Sequence, residues 1–329
     1  NENAADTFGA GSEAPYLAKT LTSKGVFVPN YYGTTHFSLG NYTAMISGQG
    51  PTPQIQADCG VFAPFVQTGT GADGQALGTG CVYPKSVPTL AGQLTAKKLK
   101  WRGYMEDMGN NPQRESATCG RPALGAADGT QKATKGDQYA ARHNPFAYFL
   151  SISAKDCAAN VVALPKLTGD LKSAKKTANY TFITPNLCHD GHDEPCVDGQ
   201  PGGLVSANAF LQSWVPKILK SPAYKKDGML IVTFDEAEAA GAEKDASGCC
   251  NPPKYPNVAT NALLGGAGTG GGRIGAVILS KWTKGGKTTT TAYNHFSFLA
   301  SVEQLFGLKK LGYAGRTGLK TFGKDVFNK

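Results

Sequence analysis

Met229-Leu230-Ile231-Val232-Thr233-Phe234-Asp235-Glu236 is the stretch on which the fold turns. Met229–Phe234 is a continuous apolar run, the pattern of a strand covered on both faces, as in a sheet lying between two layers of helices. The run stops at two adjacent carboxylates. Carboxylates side by side repel unless a proton or a cation lies between them. Asp235-Glu236 therefore reads either as a solvated strand end or helix cap, or as a pair of hard oxygen ligands for a divalent metal.

Outward from this strand, Val26–Pro29, Lys100–Met105, Tyr180–Thr184 and Ile274–Leu279 read as further strands. Ser38 opens a helix through Ser47 that Gly48 closes. Ser86 as N-cap with Pro88 in the first turn predicts a second helix, with Leu90 and Leu94 on one face. Leu204–Leu219 and His295–Phe306 predict two more, and Phe146–Ile152 is ambiguous between helix and strand. Strands alternating with helices predict an α/β fold with helices on both faces of the sheet. No linker divides the chain, so residues 1–329 read as one domain with loop insertions at about 49–85 and 237–272.

Composition narrows the classes. The chain has 329 residues, 40% of them hydrophobic, and 33 Lys+Arg against 24 Asp+Glu give a charge of +9. That apolar content excludes wholesale disorder. No apolar run approaches the ~20 residues of a membrane-spanning helix. The positive charge favours anionic partners, but it is scattered and offers no continuous track for nucleic acid. Eight cysteines without CxxC pairs predict disulfides and an oxidising compartment. A Cys59–Cys81 bridge would staple the first insertion, and Cys188–Cys196 would fix a His/Asp-rich loop. Cys249 and Cys250, being adjacent, are expected to bond elsewhere. The chain opens at Asn1-Glu2-Asn3, which with these cysteines reads as a removed signal peptide.

Only five histidines are present: His36, His143, His189, His192 and His295. Several stand beside Asp, Asn or Ser near predicted strand ends, where open α/β sheets bind ligands. A lone histidine is commonly a satisfied structural residue, and the group carries more weight than its members. Ser38 at a helix start faces free N–H groups and the positive end of the helix dipole, a ready anion site. A metal that holds the hydroxyl as an alkoxide would let it attack phosphorus. Asn41, one turn on, is placed to donate to a phosphoryl oxygen.

Taken in order, Glu2-Asn3, His36-Phe37-Ser38-Leu39-Gly40-Asn41-Tyr42, Tyr104-Met105-Glu106-Asp107, His143-Asn144-Pro145-Phe146, Pro185-Asn186 with Asp190-Gly191-His192-Asp193, Thr233-Phe234-Asp235-Glu236 and Tyr293-Asn294-His295-Phe296-Ser297 span nearly the whole chain. The set resembles the bacterial phosphoesterase family of secreted acid phosphatases and phosphatidylcholine-type phospholipases C, within the alkaline phosphatase-like superfamily. The resemblance implies a three-layer sandwich with a mostly parallel central sheet and long Gly-rich loops. It implies Ser38 as nucleophile, with His36, His143 and His192 in catalysis. Glu2, Asn3, Asp235 and Glu236, with Ser38, would hold the metal. Asn41, Asn144, His189, Asp190 and His295 would bind substrate. Pro185-Asn186 offers a neutral amide where two-metal relatives carry an Asp, so one divalent ion is expected, Ca²⁺, Mg²⁺ or Mn²⁺ before Zn²⁺. In that family a strand leads into the Glu-Asn pair, so residues ahead of Asn1 are expected.

These readings predict a secreted, metal-dependent phosphomonoesterase working through a phosphoserine. The alternatives are a phospholipase C-type phosphodiesterase and a non-catalytic anion binder. A sulfatase is disfavoured, because Ser38 is followed by Leu39-Gly40-Asn41-Tyr42 and not by the Cys/Ser-x-Pro-x-Arg signature. The expected partner is a phosphorylated small molecule or lipid, with transient contact at a membrane surface allowed, no specific nucleic acid, and a monomeric chain.

Overall fold

The computed structural model of the chain describes residues 1–258 and 270–328, so part of the 237–272 insertion lies outside the described residues. Their strands, in chain order, are β1 Val26–Val28, β2 Tyr31–Tyr32, β3 Val66–Thr70, β4 Ala76–Thr79, β5 Trp101–Met105, β6 Val161–Ala163, β7 Tyr180–Thr184, β8 Met229–Thr233, β9 Ala276–Ser280, β10 Lys287–Thr288 and β11 Tyr293–Asn294. Two sheets form the body of the molecule: β10-β1-β9-β8, and β6-β5-β7, whose three strands are parallel. In the four-stranded sheet β9 alone runs against its neighbours, pairing antiparallel with both β1 and β8. The α/β class stands; the three-stranded sheet is parallel throughout, and the four-stranded sheet is mixed where a mostly parallel one is expected.

The expected strands and helices lie close to where their patterns place them. The helix Ser38–Ser47 is buried along its whole length and ends on Gly48 at φ +66°. A side chain there would strike the carbonyl of Leu311, its Cβ only 2.2 Å from that oxygen. The long helix spans Gly203–Lys220, and the closing helix His295–Leu305 packs on Ser38–Ser47. Thr89, and not Ser86, caps the helix Leu90–Ala96, accepting from the Gly92 N–H at 3.1 Å. Ser86 instead donates to Gln67 at 2.8 Å. The ambiguous segment after Asn144 is neither helix nor strand but a buried 3₁₀ turn, Pro145–Tyr148. No described helix is long and apolar enough to cross a membrane.

The cysteines pair 59–81, 119–157, 188–196 and 249–250. The last corrects the expectation for Cys249 and Cys250, which bond to each other. The 49–85 insertion is stapled as expected and carries the β3–β4 hairpin.

β8 departs from expectation. It is a strand, but all five of its residues are half-exposed. It ends one sheet as β7 ends the other, and both strands line one cavity of about 730 Å³.

Candidate active site

Functional side chains gather beyond the carboxyl ends of β7 and β8, where α/β sheets hold ligands. Ser38 is the first residue of its helix, following an extended Phe37. Gly40 lets that turn close, since a Cβ there would come within 2.3 Å of the Thr35 methyl. The Ser38 hydroxyl donates to Glu236 Oε1 at 3.2 Å, and Asp235 is a second acceptor within its reach. It has one proton and two carboxylates able to take it. The next N–H, of Leu39, is filled by Asp58 Oδ1 at 2.9 Å, a carboxylate at the positive end of the helix.

Burial, with Asp235 beside it, pushes Glu236 up to about 7 even though His36 opposes the shift. Burial pushes Asp235 up as well, and His143 and the Ser38 hydroxyl oppose it.

His36 stands behind Glu236. Its Nδ1 meets Glu236 Oε2, and its Nε2 lies 3.0 Å from the carbonyl of Asp245, to which it can only donate. Burial depresses this imidazole, but the Glu236 contact raises it above its ordinary value. His36 was expected in catalysis; with both ring nitrogens occupied it positions Glu236. His295 is likewise corrected from substrate binder to support. Fully buried, it donates from Nε2 to the backbone carbonyl of Asp235 at 2.6 Å, leaving Nδ1 to accept from the Tyr31 hydroxyl at 3.2 Å. Burial pushes it down to about 4, so it is neutral.

Facing the acid pair is a wall of histidines. His143 is buried, stacked on Tyr42 with ring centroids 5.2 Å apart. Its Nδ1 is 2.9 Å from Asp190 Oδ2. The pair lies off the line of a hydrogen bond, and both ring nitrogens remain without one. Burial pushes Asp190 up, but His143 and His192 bring it below its ordinary value. His192 is exposed. Its Nε2 lies 3.2 Å from an Arg142 nitrogen, and a guanidinium only donates, so Nε2 accepts. Nδ1 then carries the proton and gives it to Asp193 at 2.7 Å.

Several expected residues serve elsewhere. Asn41 is fully buried, accepting from the Thr34 and Thr35 N–H groups and donating to the Thr35 and Phe37 carbonyls, so it clamps the loop before Ser38 and has no donor left for phosphate. Asn144 donates to the Cys119 carbonyl and the Tyr139 hydroxyl. His189 pairs with Glu106 at 3.0 Å on the wall of the cavity. Asn3 is turned away, donating to the Glu243 carbonyl and accepting from the Glu238 N–H. Glu2, pushed up to about 8 chiefly by burial, lies against Gly191, where a Cβ would stand 3.0 Å from the Glu2 Cγ. Arg142 and Asp58 escape the sequence reading. Arg142 precedes His143 directly, and its burial is the signal that only the folded chain supplies.

Of the expected metal ligands, Asp235, Glu236 and Ser38 are together. Asp235 Oδ2 is buried with no hydrogen-bond partner. An orphaned carboxylate oxygen beside a second carboxylate fits a hard divalent cation. The carboxylates of Glu2, Asp235 and Glu236 do not converge on one point; the metal-like cluster among the described residues is Cys188, Cys196 and Asp198, whose sulfurs are spent in a disulfide.

A sequence model of the Phosphoesterase family matches residues 10–309. Over 295 residues the chain is 26% identical to a phosphate-repressible acid phosphatase of Penicillium chrysogenum, covering 89% of this chain and 54% of that protein. It is 24% identical over 321 residues to an acid phosphatase of Aspergillus fumigatus, covering 94% and 57%. It is 20% identical over 319 residues to a phosphatidylinositol-3-phosphatase of Mycobacterium tuberculosis, covering 95% and 77%. The chain thus spans about half the length of the fungal relatives. A protein of the alkaline phosphatase superfamily from Vibrio parahaemolyticus superposes with a TM-score of 0.53 at 12% identity, over 99% of this chain and 69% of that one. That likeness concerns the fold alone.

Proposed function

Because the chain belongs to the phosphoesterase family, we propose that it is a secreted, metal-dependent phosphoric ester hydrolase acting through a phosphoserine on phosphomonoesters. The observation that carries this reading is the Ser38 hydroxyl at a helix start, hydrogen-bonded to the buried Glu236 beside a second carboxylate, Asp235. Ser38 Oγ attacks phosphorus in line and gives its proton to Glu236. The bond from phosphorus to the alcohol oxygen breaks, and that oxygen takes a proton from His143. In the second half a water oxygen attacks phosphorus, His143 recovers a proton from it, and the Ser38 oxygen leaves with the proton held on Glu236. Inorganic phosphate and the starting protonation states result.

His143 is the better acid of the two candidates, since neither of its ring nitrogens makes a hydrogen bond. His192 Nε2 is occupied by Arg142. Asp235, whose Oδ2 has no hydrogen-bond partner, would hold the divalent ion, with Ser38 and Glu236 beside it. Such an ion supplies Lewis acidity toward the Ser38 oxygen and the phosphoryl oxygens. The excess of positive charge draws anionic esters toward the site. Secretion is supported by the four disulfides, which persist in oxidising compartments.

Hydrolysis of p-nitrophenyl phosphate and of the bis ester, each with and without chelator, tests the reading. Faster, chelator-sensitive turnover of the monoester is expected. A faster diester would replace it with a phosphodiesterase, and no turnover of either would sink it.

A further inference from the structure

Lysines gather at the end of the molecule remote from Ser38. In the sequence, Lys97-Lys98 with Lys100 and Lys172 with Lys175-Lys176 are separate clusters. The fold brings them together. Lys100 directly precedes β5, and Lys175-Lys176 lie just ahead of β7, its parallel neighbour, so both clusters stand at the amino ends of these strands. Lys100 Nζ donates to the Lys175 carbonyl at 2.9 Å, and the Lys100 N–H donates to Asn179 Oδ1 at 2.9 Å. β8 begins at the same end. Lys225 and Lys226 lead into it, and β9, antiparallel to β8, finishes there, followed by Lys281, whose ammonium meets the Lys226 carbonyl. The two groups are neighbours. Asn179, Lys226 and Phe306 line one end of the cavity between β7 and β8, and Lys97 Nζ donates to the Phe306 and Gly307 carbonyls at 2.9 and 2.8 Å.

Carboxylates do not compensate this charge. Among the described residues no ion pair involves a lysine; at this end the ammonium groups of Lys97, Lys100 and Lys281 are held by backbone carbonyls. Asp227 stands beside them, whereas Asp190, Asp193, Asp235 and Glu236 lie beyond the other end of the strands. Lys98, Lys175, Lys176, Lys225 and Lys226 are exposed. Lys225 and Lys226 fall in the last turn of the helix Pro222–Asp227, where cations offset the helix dipole. Lys175 and Lys176 belong to no helix, so that role does not account for them.

We propose that this face binds a linear acidic polysaccharide, which holds the chain by its basic end and leaves the Ser38 end open. The chemistry of the face chooses the partner. Its exposed cations are lysines, compact charges suited to spaced sulfates, carboxylates or phosphodiesters, without the planar fork that reads phosphate and bases in pairs. The guanidinium of Arg102 is turned to the Ala159 carbonyl. Readers of single-stranded nucleic acid add aromatic faces on which bases stack; here Lys281 Nζ lies 4.5 Å over the ring of Trp282. A membrane surface is held by inserted apolar side chains as well as by charge, and the large exposed apolar side chain at this end, among the described residues, is Leu305. The proposal is independent of the reaction proposed above, in which none of these lysines takes part.

Binding to heparin, a sulfated polysaccharide, is the test. The chain is expected to bind it at low salt and to let go as salt rises, because each ammonium that meets a sulfate releases a counterion. Lys98→Gln/Lys176→Gln/Lys225→Gln should weaken binding at least about tenfold and flatten its salt dependence. Lys132→Gln/Lys135→Gln/Lys244→Gln removes the same charge outside this face and should weaken it by under about threefold, since exposed charges farther than a Debye length are screened. No binding by the parent chain would overturn the proposal. So would an equal loss in the two variants, which would leave net charge as the cause. Tighter binding to single-stranded DNA or to phosphatidylglycerol vesicles would replace the polysaccharide and overturn it as well. Acetylation of lysines with and without heparin, read by mass spectrometry, needs no variant. Heparin should protect Lys98, Lys176 and Lys225 several-fold and leave Lys132, Lys135 and Lys244 reactive, and even protection of all six would also overturn the proposal.

Discussion

The two walls of the site are built differently. The acid wall, Ser38 with Asp235 and Glu236, is locked from behind: His36 holds one oxygen of Glu236, and His295 holds the Asp235 backbone. The opposite wall comes from two segments, the 3₁₀ turn Ala141–His143 and the loop that carries His192. His143 is buried with free ring nitrogens, while His192 is exposed and tied to Arg142 and Asp193. A locked wall suits a group that must sit still while it attacks. A looser wall with an uncommitted imidazole suits a group that must give and regain a proton.

Removing the proposed nucleophile breaks the comparison most severely. Ser38→Ala should lower kcat for p-nitrophenyl phosphate by at least about 10³-fold; a full rate in that variant would remove Ser38 from the reaction. His143→Asn should cost about 10²-fold in kcat, the lower end for a general acid, with less loss on an ester whose leaving group is more acidic. His192→Asn separates the two histidines. It should cost under about tenfold, below the general-acid range, and a loss equal to that of His143→Asn would exchange their roles.

The smallest effect lies outside both walls. Glu303 is buried in the closing helix, accepts from the Leu311 N–H at 3.0 Å, and is pushed up to about 8, mainly by burial. Its folded pKa is above its unfolded value of 4.5, so the folded chain holds this proton more tightly. The stability it confers is fully present below about pH 4.5 and is lost as pH rises through 8. Glu303→Gln should flatten the fall of Tm over that range without altering kcat, as thermal melts at successive pH values would read.

Much of this frame is legible in the sequence because it depends on local pattern. The apolar runs of β7 and β8, the close of the first long helix at Gly48 and the alternation of strands with helices all arise from neighbours along the chain. The roles of the histidines are not of that kind. His36 and His295 differ from His143 through partners distant in sequence: Glu236 lies 200 residues from His36. Burial converts two of the three into supports, and no local pattern distinguishes them. Asn41 misleads for a similar reason. Its place one turn after Ser38 suggests a phosphate donor, but its amide is spent on Thr34 and Thr35. The exposure of β8 is illegible too, since its composition specifies a covered strand and covering depends on what lies alongside.

The loop that carries Asp190 and His192 is closed by the bridge between Cys188 and Cys196, eight residues apart. The acid wall holds its shape by packing and hydrogen bonds, whereas part of the facing wall is fastened covalently. Both sulfurs are buried, so the fastening is shielded from solvent. The span that presents Asp190 and His192 is set by this closure, which leaves a short loop fewer shapes to lose on folding.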